Sequence, residues 1–120
     1  MWQKTHSSTP DEIRNSHALK GLNLPRLGQP GRTFIGDLTA KALLIAGEGG
    51  VHTNAKGEQV ALLRAYDKVT GEDISGEVNM PGKQAGSPMT YMHNGRQYIV
   101  LAVMANGANG GSELIAYALP

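Results

Sequence analysis

Ala42-Leu43-Leu44-Ile45-Ala46-Gly47 is followed by Leu62-Leu63-Arg64-Ala65-Tyr66-Asp67. The pair is answered about 50 residues later, a repeat-scale period, by Gln97-Tyr98-Ile99-Val100-Leu101-Ala102-Val103 and then Glu113-Leu114-Ile115-Ala116-Tyr117-Ala118-Leu119. Each unit reads as a buried strand, a loop, and a strand with Ala-Tyr near its end. Around these runs the apolar stretches are short and are split by turn residues. Gly47-Glu48-Gly49-Gly50 reads as a turn and not as a phosphate cradle, because it lacks the Lys and the strand–loop–helix setting. Asn54 and Gly57 mark a polar excursion between Val51 and Gln59, and Asp67-Lys68-Val69-Thr70-Gly71 marks a tight connection.

Outward from the repeat, Thr33–Leu38 reads as a first strand, and Ile74–Met80 as a weaker fourth one, ended by Pro81-Gly82. Ser87–Met92 then opens a second unit, with His93-Asn94-Gly95 as a hairpin turn and Asn106–Gly111 as a Gly/Asn loop. A unit of about four strands at this period predicts propeller blades. The expected fold is all-β: one full four-stranded antiparallel blade over 32–81, three strands of an incomplete last blade over 82–120, and an irregular segment over 1–31. One blade cannot bury both of its faces by itself.

Composition agrees with turn-rich β structure. The 120 residues are 40% apolar, yet hold one Phe, one Trp and four Tyr beside 16 Gly. Core volume must therefore come from Leu, Ile, Val, Met and Ala, and Met80, Met89, Met92 and Met104 read as gap-filling residues. Eleven basic and ten acidic side chains leave a net charge of +1, with no run of one sign to attract nucleic acid or an anionic membrane. The chain has no Cys, which excludes disulfides, thiolate catalysis and Cys-based metal sites. Its four His, at positions 6, 17, 52 and 93, lack metal-ligand spacing and read as surface or loop residues. No run reaches the ~18 apolar residues of a membrane span. The polar N-terminus, Met1 to Asn15, lacks the apolar middle of a secretory signal. Within it, Thr9-Pro10-Asp11-Glu12 reads as a helix start, with Thr9 as N-cap and a short helix from Pro10 to about Ser16.

Leu63-Arg64-Ala65-Tyr66-Asp67-Lys68-Val69-Thr70-Gly71-Glu72 resembles the repeat signature of pyrroloquinoline quinone (PQQ) propellers, in which Asp and Thr-Gly shape a turn. Gln84-Ala85-Gly86-Ser87-Pro88-Met89-Thr90-Tyr91 and Asn94-Gly95-Arg96-Gln97-Tyr98-Ile99-Val100 resemble a run near the C-terminus of glucose-dehydrogenase-like quinoproteins, with one extra residue before Pro88. The closing Ile115-Ala116-Tyr117-Ala118-Leu119-Pro120 is similar to that family's last strand, and His17–Pro25 with Gly47–Gly50 to a subgroup with a long connection between blades. The family pattern usually carries a Trp just after Thr-Gly, docked on the neighbouring blade. Here that position falls near Ile74 or Ser75, with no aromatic, and Trp2 stands as the remnant of such a residue from the blade before.

The resemblance implies a C-terminal fragment of a PQQ-dependent dehydrogenase that oxidises sugars or alcohols, inactive alone. It implies PQQ with Ca²⁺ or Mg²⁺ in the parent protein, held by groups from many blades. Its partners would be the remaining blades and a sugar or alcohol substrate, and its place periplasmic or membrane-associated on the periplasmic side. No catalytic or metal-binding residue is placed on this stretch. Arg32, Thr33, Gln84 and Ser87 are the candidates for lining the cofactor cavity, since they lie near the strands expected to be innermost. Arg32 suits a PQQ carboxylate. The simpler readings are a solvated loop Arg, and turn or strand-end hydrogen bonding for Gln84 and Ser87. Two other functions stay open: a non-catalytic propeller scaffold or binding module, and a remnant without function.

Overall fold

A computed structural model describes residues 1–29, 36–105 and 111–120, with Ala105 described by its backbone. Among these residues nine strands follow a short helical start. These are β1 Leu38–Thr39, β2 Leu43–Gly47, β3 His52–Thr53, β4 Gln59–Asp67, β5 Val78–Met80, β6 Gly82–Gln84, β7 Met89–His93, β8 Arg96–Ala105 and β9 Ser112–Ala118. Half of the first expected strand, Thr33–Leu38, lies outside the described residues; Gly36 and Asp37 are not in a strand, and the strand that is seen begins at Leu38.

The chain is all-β and forms part of a propeller. In the first sheet, β1, β2, β4 and β5 pair antiparallel in chain order, with Ile45 opposite Ala65 and Leu63 opposite Val78. β3 also pairs with β4, closing a hairpin whose turn needs Gly57 at φ +81°. In the second sheet β8 is central. β6 and β7 lie on one edge of β8 and β9 on the other, with Leu101 opposite Ile115. The hairpin between β7 and β8 carries Asn94 and Gly95 at φ +48° and +75°, the two positive angles a type I′ turn demands.

Strand alternation builds the core. Ile45, Ala61, Leu63 and Met80 from the first sheet meet Ile99, Leu101 and Val103 from the second, and all seven are buried. Tyr117 bridges the sheets as well, its hydroxyl donating to the Asn79 carbonyl at 2.8 Å. Both faces of β4 are covered. Val60, Leu62, Arg64 and Tyr66 are buried on the side opposite the core, and residues of the N-terminal segment bond to the side chains of Arg64 and Tyr66. Among the described residues nothing covers the outer face of the second sheet in this way, and Met89, Tyr91, Met104 and Leu114 stay exposed there.

The helical start differs from expectation. α1 spans Asp11–Arg14, with Pro10 in extended geometry (ψ 144°) at the N-cap in place of Thr9. A 3₁₀ turn, His17–Leu19, follows. Tertiary partners decide this. Thr9 Oγ1 accepts the Leu27 N–H at 3.0 Å, and the Asp11 carboxylate accepts from the Thr53 hydroxyl at 2.6 Å and the Thr53 N–H at 3.0 Å. Neither side chain is left to cap its own helix.

Candidate functional site

Two of the four candidate residues meet at one backbone point. Gln84 ends β6 and is 2% exposed. Its Nε2 donates to the carbonyls of Gly36 at 2.7 Å and Gly86 at 2.6 Å, and its Oε1 accepts the Gly47 N–H. Its own backbone N–H donates to the Glu48 carbonyl at 2.9 Å. Ser87 is exposed and packs on the same Gly36, where an added Cβ would stand 2.0 Å from the Ser87 hydroxyl. Only glycine fits so close an approach. Arg32 and Thr33 are outside the described residues.

A second polar centre escaped the sequence reading. Glu48 does sit in the bend after β2, but it is fully buried. Its Oε1 accepts from the Ser8 N–H at 2.8 Å, the Ser8 hydroxyl at 2.9 Å and Arg64 Nε at 2.9 Å, and its Oε2 accepts the Leu62 N–H at 3.1 Å. Arg64 reaches on to Asp73 Oδ2 at 2.9 Å, and Arg26 meets the same oxygen at 3.3 Å. The chain Glu48–Arg64–Asp73–Arg26 thus alternates in sign, as burial of charge requires. Burial pulls the Asp73 carboxyl up, but the Ser75 hydrogen bonds and then Arg26 and Arg64 outweigh it, leaving Asp73 below the usual carboxylate range. The one signal in the sequence was Arg64, a charge in the middle of an otherwise apolar strand.

His6 and His52 border this centre. His6 Nε2 faces the Gly47 carbonyl at 3.1 Å, which can only accept, so the neutral ring carries its proton there. Its Nδ1 then accepts from the Tyr66 hydroxyl at 2.8 Å. Burial pushes the Tyr66 phenol up, which keeps it a donor. His52 corrects the expectation of a surface or loop role: it lies on β3 and is buried, with Nδ1 3.3 Å from Glu48 Oε2 but not aligned as a hydrogen bond.

The Asp67–Gly71 turn has the expected build. Asp67 Oδ1 accepts the N–H groups of Val69 and Thr70, both at 2.8 Å, and the Thr70 hydroxyl at 3.1 Å. Gly71 closes it at φ +73°. Trp2 docks on this turn, its indole N–H donating to the Lys68 carbonyl at 2.9 Å.

The family model for the PQQ glucose/ethanol/alcohol dehydrogenase β-propeller domain matches residues 1–99. The chain belongs to this family. Quinoprotein glucose dehydrogenase A of Acinetobacter calcoaceticus is 29% identical over 123 residues, which take in 100% of this chain and 14% of that protein. The quinoprotein glucose dehydrogenases of Escherichia coli (strain K12) and Gluconobacter oxydans (strain 621H) are 39% and 40% identical over 61 and 63 residues, each 48% of this chain. Those stretches are 8% and 7% of the two relatives. No solved structure matches the chain. The quinoprotein family is one of oxidoreductases that use PQQ.

The residues described here do not form a cradle for that cofactor. Both Gln84 amide hydrogens and its oxygen are engaged by backbone. Arg26 and Arg64 are turned onto Asp73 and Glu48. Among the described residues no group of three or more His, Asp or Glu side chains could hold a metal ion. None of their helices is long and apolar enough to cross a membrane.

Proposed function

We propose that this chain is the C-terminal stretch of a PQQ-dependent dehydrogenase acting on sugars or alcohols, and that it works as scaffold and as one wall of the cofactor cavity. The observation that carries the reading is the family match across residues 1–99 in a chain that spans 14% of the first relative. Ser87, packed on Gly36, is the cavity-facing residue, Gln84 stands buried behind it, and Arg32 and Thr33 precede Gly36 in the sequence. Gln84 acts there by holding backbone in place, since its amide is already engaged. Ser87 is the exposed member of the pair. The other groups needed for PQQ and its metal come from other blades, so the chain alone does not turn over. A periplasmic site, facing or attached to the membrane, goes with this reading.

The test is dye-linked oxidation of glucose and ethanol with PQQ and Ca²⁺ or Mg²⁺. The 120-residue chain is expected to be silent, and the reading frame extended through upstream blades to be active. Turnover by the chain alone would overturn the inactivity. A silent extended protein that folds would favour a non-catalytic scaffold.

A further inference from the structure

Asn94 and Gly95 make the two-residue turn between β7 and β8, and both are exposed. The His93 ring reaches the Asn94 amide, with its Nε2 3.2 Å from Nδ2. An amide NH₂ can only donate, so the neutral ring accepts there and carries its own proton on Nδ1. Gly95 has no side chain to shield its nitrogen, and nothing stands within 4 Å of where a Cβ would be. Asn54, in the hairpin between β3 and β4, is the contrast. Its Oδ1 accepts the N–H groups of Lys56 and Glu58, both at 2.9 Å, and its Nδ2 donates to the Glu58 carboxylate at 2.9 Å. Ala55, with a Cβ, follows it.

We propose that Asn94 is a self-modification site, where it loses its side-chain amide as ammonia with His93 acting as the acid. The Gly95 N–H gives its proton to hydroxide, and the nitrogen bonds to Asn94 Cγ, closing a five-membered ring. While Cγ is tetrahedral, the Nδ2 lone pair is no longer shared with a carbonyl and accepts a proton. The imidazolium form of His93 donates that proton from Nε2, which lies within reach of Nδ2. The Cγ–Nδ2 bond then breaks, ammonia leaves and a succinimide remains. Water restores the proton to the ring, which returns the hydroxide. A further water opens the succinimide at either carbonyl, giving aspartate or isoaspartate. The net change consumes one water and releases one ammonia, with no oxidant or reductant.

On β8, Tyr98 meets the His93 ring edge-on at 6.5 Å between centres, and Tyr91 stacks on Tyr98 at 5.1 Å. Arg96, the cross-strand partner of His93, turns its Nε to the Leu119 carbonyl at 3.2 Å. Ala118, opposite Tyr98 on β9, carries no charge. Isoaspartate lengthens the main chain inside a two-residue turn. That turn sets the register of Met89–His93 against Arg96–Val100, so the lengthened form loosens β7 from β8. None of this chemistry uses Gln84 or Ser87, so it does not depend on the cofactor reading.

The experiment is peptide mapping by mass spectrometry on the full chain, incubated warm and sampled over days. The Asn94 peptide is expected to gain the mass of an OH-for-NH₂ exchange several-fold faster than the Asn54 peptide. His93→Gln and His93→Phe, which supply no acid, are each expected to slow the change at Asn94 about tenfold. Asn106 and Asn109 precede glycine too but follow alanine, so their rates are expected to stay the same in both variants. The pH profile separates acid assistance from a change of shape. His93 gives up its proton within about pH 5–8, so the wild-type rate flattens as pH rises, whereas the variants follow hydroxide throughout. Equal rates at Asn94 and Asn54 in the wild type, equal slowing at all three Asn-Gly pairs, or one pH profile shared by wild type and variants would each overturn the proposal.

Discussion

Trp2 rests on Gly71 so closely that a Cβ added to the glycine would stand 2.5 Å from the indole ring. The glycine also holds φ +73°, which closes the Asp67 turn. Gly71→Ala therefore meets both a strained backbone and a crowded ring. It is expected to destabilise the chain by roughly 1–3 kcal/mol and to move the emission of the single Trp to the red as the ring is displaced. A urea melt followed by fluorescence reads both effects. Unchanged emission and stability would mean that Trp2 does not dock there.

Glu48 and Arg64 form a buried pair whose halves depend on each other. Removing Glu48 leaves a buried guanidinium, so Glu48→Ala is expected to cost about 3–5 kcal/mol. Replacing both members, as in Glu48→Leu with Arg64→Met, is expected to cost clearly less than the sum of the two single changes. Melts of the two singles and the double give the coupling. Additive losses would show that the pair acts as two separate residues.

Acid should loosen the N-terminal segment. Asp11 is held well below the usual carboxylate range, chiefly by the Thr53 hydroxyl, and Asp73 lies below it too. A depressed folded value means that the unfolded chain takes up the proton first. The stability these groups contribute is complete above the unfolded carboxylate pKa of about 4 and fades as pH falls toward the folded values. Asp11→Asn is expected to flatten the acid limb of a stability–pH curve between pH 7 and 3, with a loss of about 1 kcal/mol at neutral pH. An acid limb of unchanged slope would remove Asp11 from the account.

Gln84 joins the sheets through three backbone groups. Gln84→Leu keeps the size but strands the Gly36 and Gly86 carbonyls and the Gly47 N–H, at roughly 1–3 kcal/mol for each group that stays dry. Faster amide exchange at Gly47 is the specific sign to look for, together with a lower melting temperature. Exchange at Gly47 as slow as in wild type would show that the amide bond is not formed.

The bare face of the second sheet should drive self-association. Met89, Tyr91, Met104 and Leu114 are exposed together, and Leu114 is 78% exposed. Sedimentation at micromolar concentration is expected to show oligomers, and Leu114→Lys to shift them toward monomer. A wild-type monomer would argue against a sticky face.

By itself the sequence was enough to place the strands, because side-chain alternation and turn chemistry are local. The Ala-Tyr repeat, the Asp67 turn and the Asn94-Gly95 hairpin followed from residues close together in the chain, whereas the second sheet holds four strands where three were expected, because Gly82–Gln84 pairs with the far end of β8. Glu48 was beyond that kind of reading. A carboxylate between glycines looks like a solvated bend until Ser8, from 40 residues away, and Arg64 are folded onto it. The same holds for Thr9 and Asp11, drawn from capping to Leu27 and Thr53, and for Gln84, whose partners Gly36 and Gly47 lie 48 and 37 residues away. Hydrogen bonds and ion pairs between distant residues depend on three-dimensional approach, which no spacing along the chain encodes, so only the tertiary structure could decide them.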